Sequence, residues 1–322
     1  MGSRLKVQRG GWCSFLCALR EAYNEEGPQA LAGLWSSGRR DRRVGPLVRA
    51  IELAYPVGRV LSVAAELDER ILHDGLGMAS RWLLDRWVPG WRAMIPPRTA
   101  EVLASAPILI HGNHPSLLTP FLVAATALRP DLKIISASFL ERLLPSYAPY
   151  SLPVTLRNDQ WGEQFRRGGL PRVLVVMLLR HLEPPAPREE AKGANRRAIA
   201  SAASHIRSGG AVLIAPAGWS LRRWPWHPGI GRIVQSLSRE PGPAPDYLVP
   251  FREEASSDAR VRALLGGGPI ARLRRSLDRR PVTIRYGPPT LRSALEPLPT
   301  EVVAITRLLQ DRYEGLFRRP RG

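Results

Sequence analysis

The stretch Ile108-Leu109-Ile110-His111-Gly112-Asn113-His114-Pro115-Ser116-Leu117-Leu118-Thr119-Pro120-Phe121 decides the fold. Its first three residues read as an apolar strand, the run from His111 to Ser116 as a turn holding Gly, Asn and Pro, and the apolar residues beyond it as a helix. Strand–turn–helix is the repeating unit of open α/β sheets, which place ligand-handling residues at the C-terminal ends of their strands. His114 is delivered to that end, just before a helix N-terminus. The positive helix end disfavours an imidazolium, so the sequence predicts a neutral His114 able to accept a proton at about pH 7. His111, three residues upstream, is expected to lie along the strand end in a structural role.

Outward from this unit, short apolar runs alternate with helical segments. The pattern predicts strands over 107–111, 132–137, 151–155, 211–215, 247–251 and 282–286, and helices over 115–127, 189–208, 229–238 and 270–277. A last helix is expected from about Thr300, as N-cap, to Phe317. Upstream, 45–88 is helical in period with a break at Pro56 and Gly58, and Trp82, Trp87 and Trp91 form an aromatic stripe interleaved with Arg81, Arg86 and Arg92. Such a stripe packs on the domain's own core or lies in a bilayer interface, where Trp and Arg suit the headgroups. The stretch 157–188, rich in Arg, Gly and Pro around one apolar run, reads as an inserted, partly mobile segment. The fold class is therefore α/β, a mixed central sheet flanked by helices with an N-terminal helical region. The expected divisions are 1–92 (helical, with the candidate membrane-contacting stripe), 93–295 (the α/β domain) and 296–322 (a C-terminal helix and basic tail).

The chain has 322 residues, 44% hydrophobic and 23% charged, which excludes disordered, collagen-like and disulfide-scaffold classes. Its 47 basic against 28 acidic residues leave a formal charge of +19, a field that favours anionic partners. All of the basic residues but Lys6, Lys133 and Lys192 are arginine, the bias of GC-rich coding. No nucleic-acid reading module accompanies the charge, so nucleic acid is not the expected partner. Cys13 and Cys17, one helical turn apart with no His or Cys cluster nearby, are neither a zinc site nor a disulfide framework. No apolar run reaches the ~20 residues of a spanning helix, and no signal peptide is read, so the expected location is cytoplasmic, at most peripheral on the inner face of the cell membrane.

Several motifs, in order, resemble the glycerolipid acyltransferase family, the bacterial lysophosphatidate (1-acylglycerol-3-phosphate) acyltransferases and their relatives. The family's first motif, Asn-His-x-Ser-x-x-Asp, appears as Asn113-His114-Pro115-Ser116-Leu117-Leu118-Thr119. Its third, Phe-Pro-Glu-Gly-Thr-Arg-Ser after a strand, corresponds to Pro216-Ala217-Gly218-Trp219-Ser220. Pro228-Gly229-Ile230-Gly231, Leu248-Val249-Pro250 and Tyr286-Gly287-Pro288-Pro289 follow as the Gly-containing helix start and the two strand ends, so the resemblance covers roughly 93–295.

What the resemblance implies is a glycerol-3-phosphate acyltransferase-like fold that moves a fatty acyl group from acyl-CoA or acyl-carrier protein, as co-substrate, to a hydroxyl of a lysophospholipid or related glycerolipid. No metal and no other cofactor is implied. His114 would act as general base, with Asn113 and Ser116 beside it. The family's Asp, which orients the His and offsets its charge, is Thr119, which can hold an imidazole by a hydrogen bond but carries no charge. Ala217 stands in place of the motif Glu, so the acceptor pocket of Pro216, Ala217 and Gly218 is altered. Arg157, and the pair Arg222 and Arg223, match the family's phosphate-binding arginines and suit bidentate contacts to an anionic headgroup. Glu141, Asp159 and Glu163 are candidates for the missing carboxylate. Trp219, Trp224 and Trp226, with the arginines between them, form either a lip against lipid or a cap on the pocket. The alternative function is a catalytically impaired member of the same fold that binds lipid or a partner.

Overall fold

The computed structural model describes residues 11–54, 56–155, 177–178, 180–184, 186–218, 225–254 and 281–318. Four helices come first: α1 (Trp12–Glu25), α2 (Pro28–Arg40), α3 (Gly45–Ala54) and α4 (Val57–Trp87). Their apolar faces enclose a cluster that includes Phe15, Leu19, Leu31, Trp35 and Leu61. Helix α4 begins in that cluster and ends in another, where Leu67, Ile71, Leu76 and Leu83 pack against the sheet. It is broken at Gly75, whose φ of 75° and ψ of 164° lie where a Cβ is not tolerated. Trp82, Trp87 and Trp91 are partly buried against the sheet core. Arg86 lies 5.7 Å from the Trp82 ring centroid and 5.6 Å from that of Trp87, with Arg70 over Trp82 at 5.3 Å.

The sheet has eight strands: β1 (Arg92–Met94), β2 (Ile108–Gly112), β3 (Leu132–Ala137), β4 (Ser151–Val154), β5 (Ala211–Ile214), β6 (Tyr247–Glu254), β7 (Thr283–Tyr286) and β8 (Thr290–Leu291). Their order is β1-β7-β6-β2-β5-β3-β4, with β8 also pairing β6. The block from β6 through β2, β5 and β3 to β4 is parallel, whereas β7 and β8 run antiparallel to β6. The sheet is therefore mixed, as expected: its parallel block follows from the alternation of strands and helices, and β7 and β8 add the antiparallel part. Pro250 falls where the antiparallel neighbour of β6 changes from β8 to β7, a place that tolerates a residue without an N–H, and its carbonyl still accepts from Gly287 N at 2.9 Å.

Side-chain alternation sends the two faces of the sheet into different cores. Ile108, Ile110, Val249 and Phe251 face α4, α5 (Pro97–Ser105) and α6 (Thr119–Ala127). Leu109, Val212 and Leu248 face α8 (Arg188–Arg207), α9 (Gly229–Arg239) and α10 (Val302–Leu316), which contribute Ile206, Ile233 and Ile305 among others. The short α7 (Phe139–Leu143) and a 3-10 turn, Pro145–Tyr150, link β3 to β4.

Several observed elements differ from the expected ones. Helix α6 starts at Thr119 rather than at 115, because Pro115 and Ser116 are spent on the turn. Strand β6 runs on to Glu254 beyond the apolar residues that end at Phe251. The final helix starts at Val302 with Glu301 as N-cap, while the Thr300 carbonyl accepts from Gln235 Nε2 at 2.7 Å. Strand β1 is unanticipated: its three side chains are exposed and carry no apolar alternation. The expected helix at 270–277 and most of the segment 157–188 lie outside the described residues.

Candidate functional site

The site is built where β2 hands over to α6. Strand β2 is fully buried between β5 and β6, so its C-terminal end opens at the centre of the sheet. Gly112 pairs with Phe251 so closely that a Cβ there would sit 2.2 Å from the Phe251 carbonyl oxygen and 2.8 Å from its ring. Only glycine allows the two strands to remain paired this far. The next residue continues the pairing with its side chain: Asn113 Nδ2 donates to the Glu253 carbonyl at 2.9 Å, and Glu253 N donates to Asn113 Oδ1 at 2.8 Å. This reciprocal pair fixes the backbone on one side of His114. His114 itself is half-buried, with its ring Nδ1 shut off from solvent.

The other side of the turn is fixed by a carboxylate. Glu253 lies two residues beyond Phe251, on the same face of β6, and so points toward the start of α6. Ser116 Oγ donates to its carboxylate, 3.0 Å from each oxygen, and Thr119 Oγ1 donates to Oε2 at 2.5 Å. The Thr119 hydroxyl also lies 2.9 Å from the Ser116 carbonyl, and Ser116 N donates to Thr119 Oγ1 at 3.4 Å. Glu253 is 3% exposed and both hydroxyl residues are buried. The hydrogen bond expected from Thr119 to the imidazole is thus directed instead to Glu253. Neighbouring residues in the sequence motif therefore converge, with Asn113, Ser116 and Thr119 all bonded to one residue that sequence reasoning did not single out. The available signal was an apolar strand whose alternation, carried past Phe251, puts an acid on its core-facing side.

Pro216, Ala217 and Gly218 form a turn after β5, the strand next to β2, so this turn and the His114 turn lie at the C-terminal ends of adjacent parallel strands. Gly218 N donates to the Ala215 carbonyl and His227 N to that of Pro216, each at 2.9 Å. Ala217 brings no carboxylate to this turn. Arg157, Arg222 and Arg223 lie outside the described residues, as do Trp219, Trp224, Asp159 and Glu163. Glu141 is on α7, after β3.

His111 points to the opposite face of the sheet. It is 5% exposed, with its ring centroid 5.6 Å from that of Trp226 and 6.2 Å from that of Tyr313. Burial pushes its pKa down to about 3, since a charged imidazole there would lose its hydration. It is a neutral member of an aromatic cluster. Trp226 is held in that cluster through its backbone N–H, which donates to Gln310 Oε1 at 3.1 Å, so this tryptophan packs inward over the strand end. Among the described residues, no group of three or more His, Cys, Asp or Glu side chains is arranged to hold a metal ion, and no helix is long and apolar enough to cross a membrane.

No protein-family model and no curated protein matches the chain. Among solved structures, it shows a distant likeness to the crystal structure of the 1-acyl-sn-glycerophosphate (LPA) acyltransferase PlsC from Thermotoga maritima. The two are 12% identical, the alignment covers 95% of each chain, and the TM-score is 0.35.

Proposed function

We propose that the protein transfers a fatty acyl group from an acyl-CoA or acyl-carrier-protein thioester to a hydroxyl of a lysophospholipid or related glycerolipid, with His114 as general base. The observation that carries this reading is the mounting of His114. His114, a residue of intermediate exposure whose Nδ1 is buried, stands just past the C-terminal end of a central parallel strand, with the residues around it bonded to β6 through Asn113, Ser116 and Thr119. So much local bonding around one side chain of intermediate exposure fits a base that must be aimed.

The neutral imidazole accepts the proton of the acceptor hydroxyl as that oxygen attacks the thioester carbonyl. The tetrahedral intermediate then collapses, the C–S bond breaks, and the imidazolium returns its proton to the departing thiolate. Atoms and charge balance without a redox partner. The turn of Pro216, Ala217 and Gly218 borders the same sheet end and would line the acceptor side, with Arg157, Arg222 and Arg223 offered to a headgroup phosphate. An excess of positive charge suits a peripheral position on an anionic cytoplasmic membrane face, and we include that location in the proposal.

A second reading, a lipid- or partner-binding protein with impaired catalysis, is favoured by one observation: the motif positions at 119 and 217 hold Thr and Ala. Purified protein given labelled acyl-CoA and a panel of lysophospholipids separates the two. Transfer that falls by about 10²–10⁴-fold in His114→Ala supports the catalytic role. Equal background in wild type and variant, together with retained binding to lysophospholipid vesicles, selects the second reading.

A further inference from the structure

Position 119 is where the resemblance leads one to expect the acid partner of His114, and a buried carboxylate lies 2.5 Å from the side chain found there. We propose that Glu253, delivered from β6, supplies the negative charge that Thr119 lacks, and that it acts as the positioning residue for His114 through the hydroxyls of Ser116 and Thr119. This inference rests on the reading of His114 as the base.

Glu253 grips the turn on both sides of the histidine. Its backbone pairs with Asn113, the residue before His114, and its carboxylate takes hydroxyl hydrogens from the residues two and five places after it. A carboxylate with 3% exposure is costly to bury and persists where donors and a positive field hold it. The donors here include the two hydroxyls, and the field is that of the N-terminus of α6, at which Thr119 stands. In surroundings so poorly solvated, a negative charge on Glu253 acts on the turn that carries His114 far more strongly than it would in water. Glutamate rather than aspartate fits the new origin, because the extra methylene lengthens the reach from the neighbouring strand. Thr119 then becomes a spacer that donates to the relocated acid, and its lack of charge no longer leaves the turn without an anion.

The test is Glu253→Gln, which keeps the shape and an acceptor oxygen and removes the charge. Acyl transfer is expected to fall by about 10²–10⁴-fold in kcat, the scale of losing an orienting acid, with the KM for the acceptor changed less than about twofold. The acid limb of the pH–rate profile moves to lower pH, because the protonated imidazole has lost the anion that favoured it. The double variant Thr119→Asp with Glu253→Gln recovers at least about tenfold of that loss, whereas Thr119→Asp alone sets two carboxylates against each other and lowers activity further. Wild-type rate and profile in Glu253→Gln would overturn the proposal. So would a loss of activity with an unmoved pH profile and no rescue by the double variant, the pattern of a purely structural tie. Should wild-type protein show no His114-dependent transfer, the reading of function fails by itself, and NMR titration of the His114 ring still decides the inference. A midpoint that moves down in Glu253→Gln sustains it, and an unmoved one rejects it.

Discussion

Acidification should weaken the folded protein through His111. The ring is enclosed by Trp226 and Tyr313 at the end of β2, and burial holds its pKa at about 3 against an ordinary value of 6.5. Above pH 6.5 neither the folded nor the unfolded form binds the proton, and stability is unaffected. Below it the unfolded chain takes up a proton that the folded ring refuses, so stability falls with decreasing pH, and the fall continues until the folded pKa near 3 is reached. Integrated from pH 7 to pH 5, the linkage amounts to about 2 kcal/mol. The perturbation that isolates it is His111→Phe, which keeps an aromatic ring in the cluster and removes the titration. Repacking shifts the variant's stability by an amount independent of pH, and every other titrating group is common to both proteins, so only the slope of the difference matters. Urea unfolding of both proteins at pH 7, 6 and 5 measures that slope. Wild type is expected to lose about 2 kcal/mol more than the variant over this range. A difference that stays flat to within about 0.5 kcal/mol, or an NMR titration placing the folded ring near its ordinary value, would refute the description of His111 as a desolvated neutral residue.

Two further substitutions probe the scaffold that holds the site. Gly112→Ala puts a methyl group 2.2 Å from the Phe251 carbonyl oxygen, so β2 and β6 must separate; a loss of at least about 1–3 kcal/mol in denaturant unfolding is expected and, on the proposed function, reduced acyl transfer as the Asn113–Glu253 pairing lengthens. A fully active, equally stable variant would contradict the close approach. Arg292 donates from Nε to both oxygens of Asp246, at 3.1 and 3.0 Å, within a buried pair that ties the segment after β8 to the start of β6. Arg292→Ala leaves the aspartate uncompensated and should cost about 3–5 kcal/mol, read as a lowered unfolding midpoint; a cost below about 1 kcal/mol would mean that water reaches Asp246 and replaces the guanidinium.

The sheet was legible because its central strands are short apolar runs whose alternate residues fill two different cores. Ile108 and Ile110 face one side and Leu109 the other, and the same holds for Leu213 against Val212 on β5. Strand β1 was not legible, since Arg92 and Met94 expose their side chains and the strand exists through its pairing with β7. The turn around His114 was legible for a local reason: Gly, Asn, Pro and Ser follow an apolar strand within six residues. Glu253 was hidden by a different mechanism. Taken alone, Arg252-Glu253-Glu254 looks like the charged, solvated end of a strand, and only register reveals otherwise. Once Gly112 is paired with Phe251, the residue two places on must lie on the same face, beneath the first turn of α6. The carboxylate and the hydroxyls that bind it are separated by more than 130 residues of chain, so no local pattern joins them.

That separation changes what the altered motif means. Reading position 119 by itself suggests a charge deleted from the site, because a motif records which side chain occupies a position and is blind to charges arriving from elsewhere. An imidazolium responds to the charges that surround it, whichever strand carries them. A threonine that hands its hydrogen to a buried carboxylate is therefore chemically closer to an aspartate than its own formula implies. Ala217 has no carboxylate of its own, and its turn is held by backbone hydrogen bonds from Gly218 and His227. On physical grounds the two departures are unequal. On the proposed function, exchange at position 119 leaves a buried glutamate bonded to the turn that carries His114, whereas exchange at position 217 leaves no acid on the turn after β5, so any change in chemistry relative to the motif is proposed to lie in which acceptor is taken rather than in how the hydroxyl proton is removed.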